Sequence, residues 1–398
     1  MRRAICFLLL LFFLPAPSRA ASRFQRVTDA YFGTVSMLVL YRTEGAEDTW
    51  MQVKDILREI DEAVSVSRPG SDIARFNRAQ QGERVDISPL TAELMTIAHE
   101  AWRLTGGLYD PSVFPLVDLW GFSPRFNRND YRPRFAYDRA YDESGLLPLP
   151  RKEDVPALLS LVDFGQVKLS RDADGWYMTK EAQPVLIGGD TVQQQIDLGG
   201  LAKGYACDRV IALLTGKGYT EGYFICGGSS MAFLSAPGGV SFDVTAKKPR
   251  PGREEGDDYA RLSARYTTLS SSADTSHSYT RDGVVYCHII DPRTGFPLNV
   301  PAEAGPQRGA AAVTLLGESA ALNDALTTAL CLMGPARALS FLEGRDDTMV
   351  MAVWQNGQDR LEVISNRPDQ LELLDSAYLL ACEADEKGVM RYTGTLAE

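Results

Sequence analysis

Apolar residues at 322, 325, 326, 329, 330 and 333 recur at the i, i+3, i+4, i+7 spacing of an amphipathic helix. Gly334-Pro335 then stops it. Similar spacing predicts helices over 49–64, 89–105 and 201–215. Short β-branched or alternating runs predict strands over 34–41, 223–226 and 284–290, and in parts of 241–246, 266–270 and 311–315. A hairpin is expected over 349–364, folded around Gln355-Asn356-Gly357-Gln358, because Asn-Gly suits a tight hairpin turn. Alternating helices and strands of these lengths predict an α+β class with mainly antiparallel sheets.

The composition agrees with a globular enzyme and narrows its partners. Of 398 residues, 45% are hydrophobic and 23% charged, near the average for soluble domains. A net charge of −11 argues against a nucleic-acid surface, which needs a basic stripe. Arg2-Arg3, an apolar run over 4–14, two prolines and Ser18-Arg19-Ala20 have the layout of a secretory signal peptide over 1–20, with an uncleaved anchor as the alternative. A mature chain of 21–398 working outside the cytoplasm is therefore expected. Its five cysteines (Cys207, Cys226, Cys287, Cys331, Cys382) have no Cys-x-x-Cys spacing and read as buried, inert thiols.

Three segments carry candidate chemistry. Asp197-Leu198-Gly199-Gly200-Leu201-Ala202-Lys203 joins a β-prone lead-in over 192–196 to a helix. Glycines there let a ligand approach the backbone, helix N–H groups favour anions, and Lys203 adds positive charge. An ordinary turn with its lysine in water is the competing account. His288 lies in the 284–290 strand, on the face of Tyr286 and Ile290 and opposite Cys287 and Ile289, before a turn rich in polar groups (Asp291, Arg293, Thr294). A core histidine bonded to a carbonyl is the alternative there. Asp324 and Thr328 share a helix face away from the apolar stripe, flanked by Ala321 and Ala325. Their oxygens suit Mg²⁺, although a solvated face would look the same.

Together these segments resemble the ApbE family, the FAD:protein FMN transferases. Further matches in order are Gly33-Thr34, Ser71-Asp72-Ile73-Ala74-Arg75-Phe76-Asn77, Gly107-Leu108-Tyr109-Asp110-Pro111-Ser112, Leu119-Trp120-Gly121-Phe122 and Cys226-Gly227-Gly228. The resemblance covers about 30–355 and implies an ApbE-like fold, two α/β halves enclosing a flavin site. It implies Mg²⁺-dependent transfer of FMN from FAD to a threonine hydroxyl of an exported acceptor, with release of AMP. By that resemblance Phe32, Leu108, Tyr109, Asp110, Asp197, Lys203 and Ile290 contact FAD. Gly200, through its carbonyl, Asp324, Thr327 and Thr328 hold Mg²⁺. His288 is the general base, and Lys203 stabilises the phosphates. The acceptor would carry an Asp-Gly-x-Ser/Thr-Gly-Ala-Thr-like motif, in a membrane redox complex on the outer side of the inner membrane, in the periplasm.

Two departures stand out. Ser271-Ser272-Ala273-Asp274-Thr275 has alanine where the family has glycine, and Ala273 would be strained if that position needed positive φ. The run over 123–195 matches poorly, with an Arg/Tyr-rich excursion at about 123–145. A Mg²⁺-dependent FAD pyrophosphatase, with water as nucleophile, is the nearer alternative function. A non-catalytic flavin-binding protein is the more distant one.

Overall fold

Nine strands form one sheet whose spatial order is also their order along the chain: Phe24–Tyr31, Thr34–Leu40, Gly222–Cys226, Ser230–Phe233, Thr268–Ala273, Ala310–Gly317, Thr348–Trp354, Leu361–Ser365 and Tyr378–Leu380. Neighbours are antiparallel except the last pair, which is parallel. The computed structural model describes residues 23–123 and 149–395, apart from 152, 240, 250–257, 264–266, 276, 283, 299, 301–308 and 355–360. The proposed leader, the excursion from 124 onward and the Asn-Gly turn lie outside the described residues.

The central strands are buried on both faces, which is why their sequences are continuously apolar rather than alternating. Leu38, Leu40, Phe224, Cys226, Met349, Met351 and Val353 point to one core. Val39, Tyr223, Ile225, Val350 and Ala352 point to a second. Helices Ala46–Val64, Pro89–Leu104, Gly199–Gly216 and Ala320–Met333 fill the first face. A small sheet of Asp243–Lys247, Asp258–Ser263 and Leu371–Leu373 covers the second. A satellite core joins Leu116, Leu119, Trp120, Val155 and Leu158 to Tyr286 and Ile290.

Functional segments enter as excursions between adjacent strands. Residues 41–221 leave the sheet beside Leu40 and return at its partner Gly222, and the Tyr41 N–H donates to the Glu221 carbonyl at 3.4 Å. The histidine hairpin, Ser278–Arg281 with Val284–Cys287, lies between Thr268–Ala273 and Ala310–Gly317.

Several boundaries differ from the sequence expectation. The 284–290 strand ends at Cys287, because Asp291 closes a turn by accepting from Thr294 and Gly295. Its alternation continues nonetheless: Tyr286 and Ile290 enter the satellite core while Cys287 and Ile289 enter the main one. Of the 192–196 lead-in only Val192 is in a strand, Asp190–Val192. Gly334 does end its helix, with φ at 78°, and Pro335 opens the next, Pro335–Phe341. Ala273 lies in regular sheet opposite Ala312 with no positive φ, so alanine fits there without strain.

Candidate functional site

The site forms where helix Gly199–Gly216 meets helix Ala320–Met333. Asn77 sets the approach: its amide donates to the Ile196 carbonyl and accepts the Ile196 N–H, both at 2.8 Å. Asp197 follows, its N–H held by the Pro111 carbonyl at 3.1 Å and its carboxylate accepting from the Gly199 N–H at 2.8 Å. Leu198 stands at the N-cap and has no side-chain group for the first turn. Asp197 thus occupies the Gly199 N–H, and the positive character left for an anion comes from the rest of the first turn.

Gly204 lets the two helices touch, since a Cβ there would sit 2.1 Å from the Ala320 carbonyl oxygen and 2.8 Å from the Ala321 Cα. Asp208, one turn later, accepts from the N–H groups of Ala320 and Ala321 at 2.8 and 3.0 Å and so caps the second helix. That contact carries Asp324 to the first helix. Its carboxylate accepts from the Gly204 N–H at 3.2 Å and lies 3.7 Å from the Lys203 ammonium.

Asp324 decides between the two accounts of its helix face. It is not on a solvated face but buried, 3% exposed, because the surface opposite the apolar stripe is covered by the Gly204 helix. Burial raises its pKa above the ordinary carboxylate value, and Lys203 and the Gly204 N–H only partly offset this. For Lys203 burial pulls downward, but Asp324 prevails and the ammonium is held above its ordinary value. Lys203 also donates to the Gly199 carbonyl at 2.9 Å and is 24% exposed, so its charge faces the cleft rather than bulk water.

Hydroxyls complete this corner. Thr327 donates to the Asp324 carbonyl at 2.9 Å, and Thr328 lies 3.4 Å from the same oxygen. Ser272, on the neighbouring sheet strand, bridges the two hydroxyls at 2.9 and 3.4 Å. The Gly204 N–H, whose partner in a helix is the Gly200 carbonyl, also serves Asp324, so that carbonyl lies on the same side. Tyr109 packs against Gly200, where a Cβ would lie 3.2 Å from its ring, and its buried hydroxyl has no partner among the described residues. Burial first, then Asp324, Asp197 and Asp110, keep that phenol neutral.

On the other side, Phe32 and Gly33 turn the first hairpin with φ of 55° and 62°. Asp61 steadies the turn by accepting the Phe32 N–H at 3.1 Å while paired with Arg68 at 2.6 Å. A Cβ at Gly227 would press on the Lys203 stem at 3.0 Å and on Thr34 at 3.1 Å, so both turns border the same lysine.

Gly200, Lys203, Asp324, Thr327, Thr328, Asp197 and Tyr109 thus converge. Asp110 braces the loop below them, accepting from Ser112 at 2.8 Å and from the Phe164 N–H at 3.1 Å. Leu108 and Ile290 are 3% and 4% exposed and belong to the main and satellite cores respectively. The ionic groups of the 291–294 turn are internal to it: Arg293 forks onto Asp291 and reaches the Leu332 carbonyl at 3.2 Å. His288 is half-buried, with its ring centroid 5.5 Å from that of His277. Ser272, Asp208, Asp61 and His277 were not singled out from sequence. Each acts through a partner more than 25 positions away or across a hairpin, and local spacing gives no sign of it. All five cysteines are buried, and burial raises the Cys226 thiol to about 11.

The donor set fits a hard divalent cation. One carboxylate, raised by burial, stands beside two hydroxyls and a backbone carbonyl, all oxygen ligands.

The ApbE family model matches residues 32–353. The FAD:protein FMN transferase of Vibrio cholerae serotype O1 is 28% identical over 312 residues, covering 76% of this chain and 78% of its own. That of Haemophilus influenzae is 25% identical over 302 residues, covering 76% and 77%. The solved flavin transferase ApbE from Vibrio cholerae superposes with a TM-score of 0.64 at 25% identity, over 84% of this chain and 95% of that one. The ApbE protein of Thermotoga maritima shares the fold, with a TM-score of 0.65 at 22% identity over 83% and 94%.

Proposed function

Since this chain belongs to the ApbE family, we propose that it is a Mg²⁺-dependent FAD:protein FMN transferase acting on a threonine hydroxyl of an exported acceptor. The observation that carries this reading is the meeting of the Lys203 ammonium and the buried Asp324 at the Gly-rich start of the Gly199–Gly216 helix. Such a corner suits a diphosphate, whose transfer needs charge neutralisation and an aligned nucleophile more than covalent help. Asp324, Thr328, Thr327 and the Gly200 carbonyl would hold Mg²⁺, which supplies charge neutralisation on the diphosphate. The first-turn N–H groups and Lys203 bind the phosphates. The unpartnered Tyr109 hydroxyl offers a donor to the same ligand.

His288 takes the proton from the acceptor hydroxyl. The threonine oxygen bonds to the FMN phosphorus, the bond to the bridging oxygen breaks, and AMP leaves with that electron pair. His288→Asn should lower transfer by roughly 10²- to 10⁴-fold with FAD affinity little changed, the usual worth of general base help. A well-folded variant that transfers at the normal rate would remove His288 from the mechanism.

The deciding experiment incubates the chain with FAD, Mg²⁺ and an acceptor domain bearing an Asp-Gly-x-Ser/Thr-Gly-Ala-Thr-like motif. Covalent flavin on the acceptor threonine, seen by in-gel fluorescence and peptide mass, is the expected result. Free FMN plus AMP would establish a pyrophosphatase, and unchanged FAD a flavin-binding protein. Export to the periplasm, with an acceptor in a membrane redox complex, is part of the proposal. N-terminal sequencing of the native protein checks it: a chain starting near Ala21 is expected, and an intact Met1 in the cytosol contradicts it.

A further inference from the structure

The hairpin Ser278–Arg281 with Val284–Cys287 pairs Ser278 with Cys287 at its open end. The next residues outward on the two arms are His277 and His288, so the register sets them facing each other. Their ring centroids are 5.5 Å apart with planes tilted by 58°. The ring nitrogens lie on the perimeters, so a small side-chain rotation brings a pair within one hydrogen bond. His288 is half-buried while His277 is exposed, so the pair steps outward toward solvent.

The groups bearing on His277 come from two directions: His288 across the hairpin, and the Lys203 ammonium from the helix at the phosphate corner. Partial withdrawal from water first, and Lys203 second, lower its pKa below the ordinary histidine value. It is therefore neutral near neutral pH, and a proton resting on it is readily passed on. His277 also holds φ at 47°, in the left-handed region that histidine, like asparagine and aspartate, adopts more readily than other side chains.

We propose that His277 is a proton-relay residue for the transfer reaction: it accepts from His288 the proton released by the acceptor hydroxyl and passes it to water. The inference rests on the transferase reading above. The balance is simple. The hydroxyl proton moves to His288 as the new P–O bond forms, AMP carries off the electron pair of the broken bond, and the proton leaves through His277. His277 acts through His288, so it is a positioning residue rather than a catalytic one.

The backbone makes the test clean, because glycine and asparagine both accept positive φ, so His277→Gly and His277→Asn keep the fold. With the full chain, FAD, Mg²⁺ and the acceptor domain, both variants should melt no lower than wild type and keep the KM for FAD. Transfer kcat should fall about tenfold, less than the roughly 10²- to 10⁴-fold worth of direct acid–base help. The acid limb of the pH profile should move, and added imidazole should restore much of the rate to His277→Gly. Variants that transfer like wild type with an unmoved pH profile overturn the inference alone. So does a loss of rate that imidazole does not rescue. A wild-type chain that leaves the acceptor unflavinylated sinks the functional reading and this inference together.

Discussion

At Asp324 burial and the Lys203 ammonium pull in opposite directions, and burial prevails. A carboxyl whose folded pKa is raised supports the fold below its unfolded value, near 3.9, and loses that support as pH rises through the folded one. In the metal-free protein, ionising this carboxylate therefore costs stability. Asp324→Asn, which keeps an acceptor for the Gly204 N–H, should melt no lower than wild type in metal-free buffer and should not transfer FMN. Added Mg²⁺ should raise the melting temperature of wild type and leave the variant unmoved. An equal Mg²⁺ shift in both would take Asp324 out of the ligand set. Sequence spacing revealed the Asp324 and Thr328 pairing, and the Gly-rich loop with Lys203, because both lie within one helical turn. It left the burial of Asp324 open, since the helix that covers it lies more than a hundred residues away.

Among the elements, the Gly204 crossing governs how closely the two site helices approach. The small residues Ala321 and Ala325 signalled in the sequence that something could come near, and Gly204 is what does. Gly204→Ala places a methyl group against the backbone of Ala320, which has no rotamer to yield. The helices must separate, at a cost of roughly 1–3 kcal/mol for overpacking, and Asp324 would move off Lys203. Chemical denaturation should show the loss, and FAD binding should weaken with it. Unchanged stability would mean that the helices have slack the structure does not suggest. The four long helices were legible from their apolar period, to within a few residues, whereas the short ones, Asp72–Arg78, Phe114–Leu119, Asp154–Leu159 and Pro335–Phe341, were not. Phe24–Tyr31 was not, because this edge strand is largely exposed and its polar residues give no alternation. The hairpin Val167–Asp172 with Gly175–Lys180 also escaped notice, as half-buried positions there mix polar and apolar types.

Over the whole molecule, the class and the antiparallel character followed from the sequence pattern, but the pairing of distant strands did not. Lys180 shows what long-range packing can impose. Fully buried, it donates to the Gln194 carbonyl at 2.6 Å and lies 4.4 Å from the Phe76 ring centre, and burial lowers its pKa to about 7. The unfolded chain takes up this proton near pH 10.4, well before the folded one does. Stability should therefore rise with pH from about 7 toward 10, where the unfolded state binds more protons. Urea unfolding across that range should show the slope in wild type and a reduced slope in Lys180→Met. Equal slopes in the two would assign the pH dependence elsewhere.

The place where residues 41–221 leave and rejoin the sheet also bears on the order of folding. The hairpin of Phe24–Tyr31 and Thr34–Leu40 is made before the rest of its sheet, yet its next sheet neighbour among the described residues, Gly222–Cys226, emerges nearly two hundred positions later. Closing that span costs only the logarithm of its length in entropy, so the finished fold is little penalised. The delay is kinetic. Until the span closes, a two-stranded ribbon with an unpaired apolar edge waits at the front of the chain, and such ribbons are marginal alone and prone to pair with other chains. The excursion that brings the Gly-rich loop to the sheet thus also makes the beginning of the chain depend on its middle.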